Sequence, residues 1–216
     1  MCFNFEAAFP EQAAKRLAGI KAKQDAEVKK VFKASVYPKK DAPVVASIDD
    51  KMKYFMANYS LIPHYMKLND LKYSTYNARS EDVLEKRTFK KYFIESRCLI
   101  PMTAYYEYSG TRGADGRKIY RSNPKDESIL MAAGILSTWT DTKGVAHPTF
   151  AIITTEPTKQ VEKYYERMPV FLNDKYWDIW LDKEFNDVKA LQEICVPWVE
   201  SKMVVKEIKR KKKTAK

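Results

Sequence analysis

The chain has 216 residues, 45% of them hydrophobic and 13% aromatic, enough for the core of one ordinary domain and too many for a disordered chain. No run approaches the roughly 18 apolar residues that span a bilayer, and no basic-then-apolar export pattern opens the chain. The formal net charge of +11 is concentrated at one end: Lys209, Arg210, Lys211, Lys212, Lys213 and Lys216 supply six of the positive charges, leaving about +5 for the body.

These features predict a cytoplasmic, monomeric protein without a membrane partner, with one domain over 1–208 and a basic disordered tail over 209–216. Such a tail binds polyanions without sequence preference. Cys2, Cys98 and Cys195 are too widely spaced for a disulfide framework or a zinc pattern. With His64 and His147 as the only histidines, no metal or other cofactor is expected.

In chain order, residues 2–9 (CFNFEAAF) are apolar for a terminus and should be packed down rather than frayed. Pro10 suits the first turn of a helix running to about Phe32, with Ala13, Leu17, Ile20, Val28 and Val31 as its stripe. Tyr37-Pro38 reads as extended loop, and strands are expected over 43–47 and 51–58. Ser80 suits an N-cap, with Glu81 and Asp82 in the first turn of a helix ending near Ser96. Five short strands are expected over 97–101, 104–108, 118–121, 129–137 and 149–155, separated by Gly- and Asp-rich turns. Short helices near 158–166, 174–182 and 186–194 and a strand over 202–208 complete the pattern. This order predicts an α+β domain with a curved, largely antiparallel, barrel-like sheet flanked by helices.

Two places stand out chemically. Glu107 sits among Tyr105, Tyr106 and Tyr108 in a predicted strand. Burial there would raise its pKa towards neutrality and suit it to proton transfer; the alternative is a carboxylate on the solvent face. Cys2 follows the initiator methionine, whose removal would expose an α-amine and a thiol on one residue. At pH 7 roughly a tenth of such an amine is unprotonated. An aldehyde caught by the amine gives an imine, which the thiolate can close into a thiazolidine. The alternative is a chance cysteine, blocked or buried.

The set Met1-Cys2, Asn77-Ala78-Arg79-Ser80-Glu81, Arg97-Cys98-Leu99-Ile100-Pro101, Tyr106-Glu107 and Arg167-Met168-Pro169 resembles, in that order, the SRAP family of abasic-site processing proteins. Tyr59-Ser60-Leu61-Ile62-Pro63 and the block from Ala133-Gly134-Ile135 to Trp139 add to the match. The resemblance implies a shield for abasic sites in single-stranded DNA, with Cys2 forming a thiazolidine crosslink after self-processing removes Met1. By the same resemblance Asn77 would orient the sugar or the amine, and Glu107 would open the sugar and carry protons. Arg79 and Arg167 would meet phosphates, and Pro38 and Tyr108 would wedge against the flanking bases. A salt bridge to Glu81 or Asp82 is the alternative for Arg79.

The chain departs from the family pattern in three ways. A family histidine before Arg-Met-Pro is replaced by Tyr165, a poor proton shuttle, which predicts a slower or less reversible crosslink. Gly-Phe-Tyr-Glu-Trp has become Ala104-Tyr105-Tyr106-Glu107-Tyr108. The family's C-terminal His-Pro segment is not recognisable in 196–208. Two other readings remain: a noncovalent single-stranded DNA binder that has lost the chemistry, and a cysteine hydrolase pairing Cys2 with His64.

Overall fold

The computed structural model describes residues 2–8, 23–24, 35–67, 74–110, 117–199 and 201–209. Strands form where apolar residues alternate: β1 (Asn4–Ala7), β2 (Lys23–Gln24), β3 (Ser35–Val36), β4 (Asp41–Ile48) and β5 (Lys51–Tyr59). Asp49 and Asp50, both at positive φ, make the tight β4–β5 turn, a conformation aspartate tolerates better than most residues. After β6 (Asn77–Arg79) and α1 (Arg87–Glu95) come β7 (Arg97–Tyr108), β8 (Ile119–Pro124), β9 (Leu130–Thr140) and β10 (Ala146–Thr155). β11 (Met168–Pro169), a 3-10 turn (Asp174–Tyr176), α2 (Trp177–Leu181), α3 (Val188–Glu193) and β12 (Met203–Ile208) follow.

Five strands close on themselves in the order β10–β5–β4–β7–β9 and back to β10. Only the β10–β5 contact in this ring is parallel. Strand alternation then sorts each side chain inward or outward. Val44, Cys98, Ile100, Phe150 and Ile152 join the cluster that holds Phe5, Phe55, Phe171 and Tyr165 inside the barrel. Their neighbours Val45, Leu99, Ala151 and Ile153 face outward and pack with Phe89, Phe93, Trp180 and Leu181 of the helices.

The interior is tight around β9. A Cβ added to Gly134 would stand 2.4 Å from Ile100 Cδ1 and 2.9 Å from Cys98 Sγ. Gly134→Ala is therefore expected to cost about 1–3 kcal/mol, read as a lower urea midpoint at unchanged slope.

The Arg97 that opens β7 works structurally. It is 4% exposed, and its guanidinium donates to the carbonyls of Trp180 (2.7 Å), Phe93 (3.0 Å), Phe185 (3.0 Å), Ile94 and Asp182. It thus satisfies carbonyls left open at the ends of α1 and α2 and ties both helices to the barrel.

The structure corrects several expectations. Lys23–Gln24 is strand, pairing in parallel with Lys53 and Tyr54, where a helix was expected; the rest of 9–34 lies outside the described residues, as do 111–116 and 210–216. Ser80 is not an N-cap: its amide donates to Thr154 O at 2.9 Å, prolonging the pairing of β6 with β10. Residues 80–85 form turns, and the helix begins only at Arg87. The two strands expected around Pro101 are one continuous β7, because Pro101 O accepts from Ala8 N at 3.0 Å where β1 bulges away. The segment near 158–166 holds only turns, and Tyr37-Pro38 enters a turn whose Lys39 has φ 68°.

Candidate functional site around Cys2, Asn77 and Glu107

The chain start is held by strand pairing. β1 runs antiparallel to β7 with Asn4 opposite Tyr106 and Phe5 opposite Tyr105, and β3 covers its other edge. This register carries residues 2 and 3 to the Glu107–Tyr108 end of β7. Phe3 stacks on Tyr108 with ring centroids 4.2 Å apart. Cys2 lies fully buried in the barrel cluster, as expected for a packed terminus.

Two side chains clamp its backbone. Asn77 Nδ2 donates to Cys2 O at 2.6 Å, and Tyr59 Oη donates to the same oxygen at 2.9 Å. Tyr59 Oη also lies 3.4 Å from Asn77 Oδ1, so the pair is cross-braced. Asn77 reaches this place because β6 pairs in parallel with Ile152–Thr154. Tyr59 reaches it from the end of β5, stacked on Phe150 at 5.1 Å.

Glu107 is fully buried, not on a solvent face. Burial pushes its pKa up to about 7, against the opposing pull of the positive chain terminus, the Tyr108 amide and Arg117. A group half ionised near neutral pH can both take and give a proton. Burial, then the Glu107 charge, push the Cys2 thiol up to about 12, while the positive chain terminus, Tyr59 and Asn4 act the other way. An exposed aminothiol was expected at this packed-down end; a buried, protonated thiol is found, its Sγ 3.5 Å from Asn4 O. Its proton must therefore leave during any reaction rather than before it.

Tyr165 lies in the same interior cluster as Cys2, and with Asn77 and Glu107 they form the buried chamber at this end of the barrel. Tyr165 is 2% exposed, and its hydroxyl lies 2.6 Å from Tyr105 Oη and 2.8 Å from Ser122 Oγ. Burial holds its pKa well above the ordinary tyrosine value, with Glu107 and Cys2 adding to the rise and the two hydroxyls opposing it. His64 is elsewhere engaged: its Nδ1 and its backbone amide both meet Tyr92 Oη, at 2.9 and 2.8 Å. That contact gives no support to a Cys2–His64 pairing.

Around the chamber, Tyr108 is held between Phe3 and the Arg117 guanidinium, 4.0 Å from the ring centroid. Pro38 lines a groove of about 760 Å³ with Met56, Asn58, Tyr76, Trp139 and His147. Tyr76 precedes Asn77, so the groove starts beside the clamp. Arg79 is exposed and 3.8 Å from Glu81, the ion pair foreseen as its alternative. Arg167 is pinned by both Glu81 oxygens, at 2.6 and 2.8 Å, and donates to Thr154 O at 2.7 Å.

Sequence reasoning therefore found Cys2, Asn77, Glu107 and Tyr165, which the fold brings into one chamber. Of the expected DNA contacts, Pro38 lines the groove, Tyr108 packs on Phe3, and Arg79 and Arg167 both meet Glu81. Tyr59, Ser122, Arg117 and Phe3, which touch these residues, were not singled out from the sequence. Tyr59 was visible only as one letter of a motif, and nothing local marks Ser122 or Arg117. Among the described residues, no cluster of His, Cys, Asp or Glu could hold a metal ion, and no helix is long and apolar enough to cross a membrane.

Comparison with known proteins places the chain by its fold and its sequence. A crystal structure of a protein from Bacteroides thetaiotaomicron superposes with a TM-score of 0.78 at 25% identity, covering 96% of this chain and 92% of that one. The abasic site processing protein YoqW of Bacillus subtilis is 33% identical over 141 residues, 65% of this chain and 62% of that protein. The abasic site processing protein HMCES of Rattus norvegicus is 26% identical over 157 residues, 59% of this chain and 44% of that protein. The matched stretch thus spans about three fifths or less of these relatives. The model of the SOS response associated peptidase (SRAP) family matches residues 1–213, and this chain belongs to that family.

Proposed function

We propose that this protein captures abasic sites in single-stranded DNA as a covalent thiazolidine on Cys2, once Met1 has been removed. The observation that carries the reading is the clamp of Asn77 and Tyr59 on the Cys2 backbone, in the chamber where buried Glu107 titrates near neutral pH. The related proteins named for abasic-site processing support the substrate.

The chemistry closes without a cofactor. Glu107 takes the proton of the anomeric hydroxyl and gives one to the ring oxygen, so that the C1′–O4′ bond breaks and the aldehyde forms. The Cys2 amine adds to C1′ and water leaves, giving an imine. The thiol then adds across C=N, sulfur to carbon and proton to nitrogen. One water is lost overall. The five-membered ring resists hydrolysis better than an open imine.

The test is a denaturing gel with an abasic single strand and an intact strand of the same sequence. A shifted band with the first alone supports the reading. No band, with retained binding under native conditions, would favour a noncovalent single-strand binder, and intact mass then shows whether Met1 remains. Size-exclusion chromatography of the free protein tests the expected monomer.

Exposed Arg79 holds Glu81 only loosely, at 3.8 Å, and can turn to a phosphate, whereas Arg167 holds Glu81 at 2.6 Å and the Thr154 carbonyl at 2.7 Å. Arg79→Ala is expected to weaken binding evenly across sequences and to reduce the slope of log affinity against log salt by about 1. Arg167→Ala should in addition lower the melting temperature, since it strips the Thr154 carbonyl and the Glu81 carboxylate of a shared partner. Deleting 209–216 should make the salt slope shallower if the tail touches phosphate.

A further inference from the structure

We propose that Tyr105 and Ser122 are positioning residues: both donate their protons to Tyr165 Oη, so that the Tyr165 proton points into the chamber as a fixed hydrogen-bond donor to the sugar. The proposal rests on the abasic-site reading and adds to it a device for opening the sugar ring.

Three hydroxyls, Tyr105, Tyr165 and Ser122, share two contacts of 2.6 and 2.8 Å, both ending on Tyr165. Each hydroxyl has one proton. Two protons fill the contacts and one is left over. Tyr105 and Ser122 are 0% exposed, and among the described residues neither hydroxyl has another partner. If Tyr165 donated to either of them, that residue's own proton would be stranded in the barrel wall. One proton is left over in every arrangement, and a stranded donor costs least on the hydroxyl that is not in the paired β7–β8 wall, so the arrangement with both neighbours donating is preferred. The spare proton then belongs to Tyr165, the least enclosed of the three.

Strand register fixes this geometry. Tyr105 and Ser122 are directly paired across β7 and β8, and their hydroxyls converge on one point. Tyr165 meets them from the segment before β11, its ring 6.0 Å from that of Tyr105 at 72°. The chamber holds Cys2, which shares the interior cluster with Tyr165, and Glu107, two positions along β7 from Tyr105. Burial keeps the phenol protonated, so it transfers no proton. It donates a hydrogen bond to the ring oxygen as the electron pair of the C1′–O4′ bond moves there, while Glu107 supplies the proton that stays. A neutral donor aimed in advance stabilises that developing charge without needing a group that titrates near pH 7.

The experiment uses single-turnover crosslinking to two strands. One carries an abasic site. The other carries an aldehyde on a chain lacking the C4′ hydroxyl, which cannot close into a ring. Tyr165→Phe is expected to slow reaction with the abasic strand about tenfold and to leave the open-chain strand unaffected. Ser122→Ala and Tyr105→Phe should each slow the abasic strand alone. Ser122→Ala in a Tyr165→Phe background should add nothing, since it acts through the lost hydroxyl. Equal slowing on both strands would assign the three residues a merely structural part and overturn the proposal. So would an unchanged rate on the abasic strand, or additive losses in the double variant. A wild-type protein that joins to neither strand overturns the reading of the site itself, and this inference with it.

Discussion

Glu107→Gln is expected to slow crosslinking by about 10²–10⁴ and at the same time to stabilise the fold above neutral pH. The two effects have one cause. In an unfolded chain this carboxyl titrates near 4.3, whereas burial pushes it up to about 7 in the fold. Below about pH 4 it is protonated in both states and costs nothing. As pH rises, the unfolded chain releases the proton first, so the native state loses stability until its own carboxyl has ionised, above about pH 7. The loss approaches roughly 4 kcal/mol. Glutamine keeps the shape and never ionises. Urea midpoints of wild type and variant should therefore converge at pH 4 and separate by pH 8, with the variant the more stable. Parallel curves would mean that Glu107 is not the titrating group. The same substitution removes the acid-base residue, so the part of the pH dependence near 7 that belongs to Glu107 should be lost, leaving only the rise that follows the Cys2 amine. Stability is traded for chemistry here, as at many active sites.

Cys2→Ala should abolish the stable adduct and still leave a trace of its predecessor. Alanine keeps the α-amine once Met1 is gone, and Asn77 and Tyr59 grip a backbone carbonyl that any residue supplies. The amine can therefore still form an imine, which hydrolyses on the gel but is fixed by borohydride. The expected pattern is no band without reductant and a band with it. In the wild type the thiol is buried and protonated, so ring closure needs the imine in place to draw the proton off. Raising pH from 7 to 9 should therefore quicken the wild type through the amine, well below the range where the thiol ionises. A stable band from Cys2→Ala without reductant would move the covalent bond to another residue and sink the thiazolidine.

Much of this was legible in the chain. Alternating residues gave most strands to within a few positions, since a barrel strand must send every second side chain inward. Cys2 and Glu107 were legible because each is chemically unusual where it stands, whereas Asn77 and Arg167 were legible only through the resemblance to the family. The helix expected from Ser80 was misread because capping letters describe local preference. Here Ser80 N is held by Thr154 O and the Glu81 carboxylate by Arg167, both from distant segments. A tertiary partner outbid the local one.

By itself, then, the sequence determined the kinds of group present: an aminothiol in waiting at position 2, a carboxylate among tyrosines, and two departures from the family pattern, Tyr105 and Tyr165. Only the tertiary structure decided that those two departures touch at 2.6 Å, that Glu107 is fully enclosed, and that the thiol is buried and protonated. The reason is physical. Residue type fixes what a group can donate, accept or ionise, but its pKa and the direction of its proton depend on water excluded and partners supplied by residues 43 to 75 positions away.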